Sequence, residues 1–166
     1  TLGDRLRAFF EWSLVEPGDR AVAIGVDSPT LPPALICAAF TELVNVDCVL
    51  GPATDGGYYL IGLRTPSRPP LLTSLFDGID WSSPAVLHQT IDRIAARGAS
   101  LRVLPPWYDV DSAADLLTLR GHFRALAVAG APSLAVHTER WLGGLRLEPL
   151  LRNQADARSL APDGET

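Results

Sequence analysis

The sequence predicts a three-layer α/β domain with a mostly parallel sheet. Short apolar runs alternate with helical patterns over most of the 166 residues, which is typical of helices packed on both faces of one sheet. The run 21–26 is apolar throughout, as in a strand that is covered on both faces. Because periodicity is lost after residue 142, we expect one domain over residues 1–142 and a loosely ordered tail over residues 143–166.

Helices are predicted where apolar residues recur at helical spacing beside start or stop signals. Thr30 is a candidate N-cap, and Ser83 is a candidate cap followed by Pro84 at the first helical position. Ser112 and Asp115 match a capping box. The predicted helices cover residues 2–15, 31–43, 84–97, 112–129 and 132–141.

Strands are predicted from short apolar runs bounded by turn residues. These runs are 21–26, 48–50, 58–63 and 101–104. The connection between the second and third runs is too short to contain a helix, so these two strands are expected to run antiparallel or to form a bent pair.

Composition limits the kinds of partner. The net charge is −5 and all fourteen basic residues are arginine, so no basic face points to nucleic acid. No apolar span is long enough for a membrane helix. Two cysteines without framework spacing and the lack of a signal peptide predict a cytoplasmic protein.

Three aspartates are candidate ligands for Mg²⁺ or Mn²⁺. Asp27 follows the first predicted strand, at the edge where open α/β sheets bind ligands. Asp109 and Asp111 are two residues apart, so in an extended segment both side chains point to one side, about 7 Å apart. Their repulsion, about 2 kcal/mol at an effective dielectric of about 20, becomes an attraction when a divalent cation binds between them. A structural alternative is that Asp27 orients a turn and Asp111 favours the start of the next helix.

The segment Asp55-Gly56-Gly57 is a candidate for catalysis and substrate binding. Its glycines allow positive φ and close approach of a ligand to the backbone, while Asp55 could accept hydrogen bonds from a sugar or act as a base. The same three residues are also common in hairpin turns. Trp81 could stack on a base or sugar, although aromatic residues more often serve packing.

Several segments resemble one family, the bacterial glycosyltransferase-like proteins of the GT-A, or nucleotide-diphospho-sugar transferase, superfamily. Some of its members are assigned to arsenosugar biosynthesis. The resemblance runs in order from residue 1 to about residue 142, and the stretch Gly-Pro-Ala-Thr-Asp-Gly-Gly-Tyr-Tyr-Leu-Ile-Gly is its most specific part. The matching segments are 2–6, 24–29, 49–63, 75–76 with 79–82, and 109–111 with 115–116.

The resemblance implies a Rossmann-like GT-A fold that binds a nucleotide-diphospho-sugar with Mg²⁺ or Mn²⁺ and transfers the sugar to a small-molecule acceptor. By this resemblance Asp27 is the metal-binding aspartate after the central strand. Asp111, with Asp109 beside it, closes the metal site. Residues 55–58, including Tyr58, then lie against the transferred group or the acceptor.

Family members begin with a strand and a glycine- and basic-rich turn that hold the nucleotide, and the first residues of this chain correspond to a position after them. We therefore expect an N-terminally incomplete fold. Two other functions remain open at this stage. One is a nucleotidyltransferase, similar to guanylyltransferases, that releases pyrophosphate. The other is a non-catalytic remnant that acts as an interaction module.

Overall fold

A computed structural model describes residues 1–65 and 72–149 of the chain. The chain divides into two compact units, Thr1–Asp109 and Val110–Thr166. The expected end of the domain at residue 142 falls within the helix Val136–Gly144, and the extent of the domain stays a prediction. Residues 150–166 of the expected tail are outside the described residues.

The first unit alternates helices and strands in nearly the predicted order. The additional short helix α3 had no counterpart among the sequence predictions. The elements of this unit are α1 Leu2–Ser13, β1 Arg20–Ile24, α2 Pro33–Glu42, β2 Cys48–Pro52, β3 Tyr58–Arg64, α3 Leu72–Leu75, α4 Val86–Ala96 and β4 Leu101–Val103.

The sheet has the strand order β1-β3-β2-β4 and is mostly antiparallel. Strand β3 runs antiparallel to both β1 and β2, whereas β2 and β4 pair in parallel. The predicted mostly parallel sheet is therefore wrong. The physical reason is that the short connection 53–57 permits only a reversal of the chain, and the reversed strand β3 pairs with β1 as well as with β2. The predicted antiparallel pairing of β2 with β3 is confirmed.

Helices cover both faces of this sheet. One core cluster joins α1, α3 and α4 to one face, and the other joins α2 to the opposite face. Burial of each large apolar side chain stabilises the unit by about 1.5–3 kcal/mol. The buried residues of the first cluster include Phe10, Leu50, Ile61, Leu75 and Ile94, and those of the second include Ala39, Leu43, Val49 and Leu60.

Asp47 holds together the amino ends of the parallel strands. Its carboxylate accepts hydrogen bonds from the Ser100 backbone N–H at 2.9 Å and from the Ser100 hydroxyl at 2.7 Å. The Arg64 guanidinium donates to the other carboxylate oxygen through Nη2 at 3.1 Å. Partial burial acts to raise the pKa of Asp47, but the hydrogen bonds from Ser100 and the charge of Arg64 outweigh it and hold the pKa below its usual 3.8.

A lowered pKa in the folded state predicts how stability changes with pH. The stabilisation from the Asp47 carboxylate is present above its unfolded pKa and is lost as pH falls through the lower folded pKa. We expect Asp47→Asn to be less stable than the wild type near neutral pH, and the difference to shrink below about pH 4. Urea denaturation at several pH values measures this, and a difference that does not change with pH would contradict it.

The second unit contains two helices among its described residues, α5 Ala113–Val128 and α6 Val136–Gly144. The predicted capping box is confirmed, because the Ser112 side chain accepts from the Asp115 N–H and the Asp115 side chain accepts from the Ser112 N–H. Arg120 Nη2 on α5 donates to the carbonyls of Leu142 and Leu145 at the end of α6. Within residues 1–65 and 72–149, no helix combines the length and apolar character that crossing a membrane requires.

Candidate functional site

The pairing of β2 with β4 extends beyond both strands. The Leu104 N–H donates to the Leu50 carbonyl at 2.8 Å, and the Trp107 N–H donates to the Pro52 carbonyl at 3.0 Å. Ala53 and Trp107 then form a parallel bridge. Because the two parallel segments advance together, the residues that follow this bridge emerge at one edge of the sheet.

Asp55 and Asp109 meet at this edge. Each lies two residues beyond its member of the Ala53–Trp107 bridge. Each offers a carboxylate oxygen, and these oxygens lie within 4.8 Å of each other. Asp55 is exposed and Asp109 is half-buried. The sequence predicted Asp109 as a ligand and Asp55 as a catalytic residue, and the structure brings the two together.

The loop that carries Asp55 is a tight hairpin turn. The Asp55 Oδ1 accepts the Gly57 N–H at 2.8 Å, and the Ala53 N–H donates to the Gly57 carbonyl at 3.0 Å. Gly56 has a φ of 95°, which an L side chain rarely adopts. The hairpin interpretation of these glycines is therefore confirmed, and the approach of a ligand to Gly56 and Gly57 stays a prediction.

Gly56 also packs directly against the turn before α4. A Cβ added to Gly56 would lie 2.4 Å from the Pro84 carbonyl oxygen and 2.6 Å from the Pro84 Cα. The Gly56 carbonyl accepts the Leu87 N–H at 2.9 Å. These backbone contacts fix the Asp55 loop to the start of α4. The predicted start of this helix at Pro84 is wrong by two residues, because Ala85 is the N-cap.

The segment that carries Asp109 is held by tyrosine hydroxyls. Tyr59 donates to the Pro105 carbonyl at 2.9 Å, and Thr30 donates to the Tyr108 hydroxyl at 2.7 Å. The rings of Trp107 and Tyr108 stack with centroids 5.9 Å apart. Burial raises the pKa of Tyr108, against the opposing effect of the Thr30 hydrogen bond. Sequence reasoning missed Tyr59 and Tyr108, because no motif marks a hydroxyl that bonds across the sheet edge.

Asp27 follows β1 and is exposed, but it does not belong to the cluster of acidic side chains that contains Asp55 and Asp109. Its Oδ1 turns back over Gly25, 2.7 Å from the point that a Cβ there would occupy. Its role as a metal ligand stays a prediction. Thr30 is not the cap of α2 as predicted, because Pro32 occupies the N-cap and the Thr30 hydroxyl bonds to Tyr108 instead.

Ser28, next to Asp27, is 8% exposed, and its Oγ has no hydrogen-bond partner among the described residues. A buried hydroxyl without a partner is uncommon, since it loses its hydrogen bonds to water on folding. Ser28 does not lie in a G-x-S-x-G nucleophile motif, because Val26 and Thr30 occupy the two glycine positions. The burial of its side chain also argues against a role as a nucleophile.

Two of the predicted substrate-binding side chains have packing contacts. Trp81 packs against Phe76, with ring centroids 6.5 Å apart, and its indole lies against Gly3. Tyr58 is half-buried on the α1 face, where burial raises the pKa of its hydroxyl to about 12 although the neighbouring Thr90 hydroxyl acts to lower it. These contacts supply a structural role for both residues, and their substrate-binding roles stay predictions.

Asp111 belongs to the second unit, two residues beyond Asp109 in the sequence. It is exposed, and its backbone N–H donates to the Asp115 Oδ2 at 3.2 Å. That bond joins the Asp111 backbone to the capping box of α5. Its role as a metal ligand stays a prediction.

The chain is similar to a solved structure from Desulfovibrio desulfuricans G20, a protein provisionally named a nucleotide-diphospho-sugar transferase. The two are 32% identical with a TM-score of 0.68, and the match covers 96% of this chain. The chain spans 62% of the length of that protein. No curated protein matches the chain.

A family model also matches the first half of the chain. The match covers residues 1–83, which include Asp27 and the Asp55 loop. The assignment to the arsenosugar branch of the resembling superfamily stays a prediction. The chain belongs to the family described as uncharacterized proteins conserved in bacteria, DUF2064.

Proposed function

We propose that the protein is a transferase that uses a divalent cation and acts on a nucleotide-diphospho-sugar. The observation that carries the proposal is the meeting of Asp55 and Asp109 at the end of the parallel strand pair. The similarity to the Desulfovibrio protein supports the substrate class. Because the chain spans 62% of that protein's length, the substrate and the acceptor both belong to this proposal.

The donor set fits Mg²⁺ or Mn²⁺. Both ions prefer carboxylate oxygens, and Mg²⁺ usually takes one or two protein carboxylates together with substrate phosphates. One carboxylate oxygen of Asp55 and one of Asp109 lie within 4.8 Å of each other, so the two side chains would be able to hold one small cation together. Asp111 is a further candidate ligand on the strength of its sequence spacing, and Asp27 on that of the family resemblance.

A cation held there would neutralise the charge that develops on the leaving nucleoside diphosphate. The chain's own residues would do the positioning. Asp55 and Asp109 would hold two coordination positions and leave the others to diphosphate oxygens and water. The half-buried Asp109 would be the more fixed of the two ligands, and the exposed Asp55 would face the incoming substrate.

Product analysis tests the proposed reaction. The purified protein is incubated with Mn²⁺ and a panel of nucleotide-diphospho-sugars, and separately with nucleoside triphosphates and sugar phosphates. Release of a nucleoside diphosphate supports sugar transfer, whereas release of pyrophosphate indicates nucleotidyl transfer. If neither product forms and calorimetry detects no binding of Mn²⁺ or of any nucleotide, the result favours the non-catalytic interaction module.

Replacement of Asp27 by alanine tests the ligand that comes from the family resemblance. We expect the variant to lose its metal-dependent turnover and to keep the thermal midpoint of the wild type, because an exposed side chain adds little to the core. Asp92→Ala, which removes an exposed carboxylate on α4, serves as the control and keeps its turnover. Turnover that survives in Asp27→Ala would exclude Asp27 from the set of ligands.

A further inference from the structure

A β-bulge in β3 changes the face that one tyrosine occupies. Gly51 pairs with Leu60 and Pro52 pairs with Tyr58, so Tyr59 is the extra residue without a partner in β2. Strict alternation would place Tyr59 on the same face as Ile61. Instead Tyr59 packs with Leu60 in the cluster on the α2 face, where it is 2% exposed. The bulge therefore directs the Tyr59 ring toward the segment that follows β4.

The ring lies directly over the backbone of β2. A Cβ added to Gly51 would be 2.3 Å from Tyr59 Cζ and 2.7 Å from its hydroxyl oxygen. Glycine at position 51 thus provides the space that the ring occupies, and any side chain there would displace it. The ring crosses β2 at this glycine and reaches the neighbouring chain segment.

The hydroxyl completes a link between the two segments that bear the aspartates. It donates to the Pro105 carbonyl at 2.9 Å. Tyr59 is four residues after Asp55, and Pro105 is four residues before Asp109. The two loops are therefore tied together at equal distances along the chain from the two carboxylates. Burial raises the pKa of Tyr59, so its hydroxyl stays protonated and keeps its donor proton at neutral pH.

We infer that Tyr59 is a positioning residue that orders segment 104–109 beside the Asp55 loop and so sets the separation of the Asp55 and Asp109 carboxylates. The effect on cation binding rests on the proposed function, whereas the ordering of the segment does not. Pro105 and Pro106 lack backbone N–H groups, so they cannot extend the ladder of hydrogen bonds from β4. A side-chain hydroxyl supplies a link at the place where the ladder is interrupted.

Tyr59→Phe is the variant that tests this inference. It keeps the ring over Gly51 and removes only the hydroxyl. We expect exchange of the Trp107 amide hydrogen to become about five-fold faster and Mn²⁺ affinity to fall by a similar factor, as suits the loss of one hydrogen bond. Hydrogen exchange by NMR gives the first quantity, and the EPR signal of free Mn²⁺ gives the second. Tyr59→4-aminophenylalanine, which restores a donor on the ring, is expected to recover both.

Ser100→Ala is the matched control. It loosens the same two strands at their amino ends, where Ser100 bonds to Asp47. This variant is expected to speed exchange of the Cys48 amide, which donates to the Ser100 carbonyl, and to leave Mn²⁺ affinity unchanged.

The outcomes separate the inference from the proposed function. If the Trp107 amide exchanges at the wild-type rate in Tyr59→Phe, the positioning role is wrong. The same conclusion follows if Ser100→Ala weakens Mn²⁺ binding as much as Tyr59→Phe does. If the wild type binds no Mn²⁺ but the Trp107 amide still exchanges faster in Tyr59→Phe, the cation site is wrong and the ordering role of Tyr59 stands.

Discussion

Replacing Gly56 by alanine is expected to lower the free energy of unfolding by about 3 kcal/mol, from two separate effects. The φ of 95° at this position disfavours any L side chain, at a cost of roughly 1–2 kcal/mol. The new methyl group would also lie 2.4 Å from the Pro84 carbonyl oxygen, a backbone atom that cannot rotate away. The turn before α4 would have to shift, and overpacking of this kind typically costs about 1–3 kcal/mol.

Gly18→Ala is a close control for the backbone effect. Gly18 has a φ of 94°, almost equal to that of Gly56, and nothing lies within 4 Å of the position of an added Cβ. The control is expected to lose only about 1–2 kcal/mol. Urea denaturation measures the loss of unfolding free energy in both variants. If their denaturant slopes are equal, the difference between the two losses gives the contribution of the Pro84 contact. Equal losses in the two variants would mean that the loop is not fixed to α4 in solution.

The sequence predicts the elements of this fold better than their arrangement. Apolar runs and turn residues identify all four strands of the sheet, and the short connection 53–57 identifies the antiparallel pair. The position of β3 between β1 and β2 is not accessible in this way, since strand order depends on long-range pairing that has no local signature. Without that order, the alternation of strands and helices favoured a mostly parallel sheet.

The candidate site could be predicted only in part, because its residues come together through long-range strand pairing. Asp27 is predicted from its place after the first strand, whereas Asp109 is predicted from its two-residue spacing to Asp111. The parallel pairing of β2 with β4 then brings Asp109 to the sheet edge beside Asp55. Asp55 is predicted as a catalytic residue and not as a ligand. Its place opposite Asp109 depends on the continuation of β2 alongside residues 104–107, which cannot be predicted from segments that contain several prolines. A known parallel register would have placed Asp55 and Asp109 opposite each other directly.

The supporting hydroxyls were beyond sequence reasoning. The ring of Tyr59 faces the α2 side only because of the bulge, and a bulge depends on the pairing of two strands. Thr30 has the pattern of an N-cap, but its hydroxyl bonds to Tyr108, seventy-eight residues away. In both cases a long-range contact overrides the local pattern, strand pairing for Tyr59 and the hydrogen bond to Tyr108 for Thr30.

Asp55→Asn is expected to separate a metal ligand from a catalytic base. The amide oxygen can still accept the Gly57 N–H, so the hairpin turn is kept while the charge is removed. Without a cation, we expect the variant to be at least as stable as the wild type, because the repulsion between Asp55 and Asp109 is lost. With Mn²⁺ at about 100 times its Kd, the wild type should gain about 2.7 kcal/mol and the variant much less.

Thermal denaturation with and without Mn²⁺ measures this difference, alongside turnover. A ligand that is lost should lower metal-dependent turnover by about 100-fold or more, since residues that only support metal ligands already contribute about 10–100-fold. If turnover falls but Mn²⁺ stabilises Asp55→Asn as it does the wild type, Asp55 acts on the substrate and is not a ligand. Asp92→Asn is the control for charge alone, and intact mass confirms that the new Asn-Gly sequence has not deamidated.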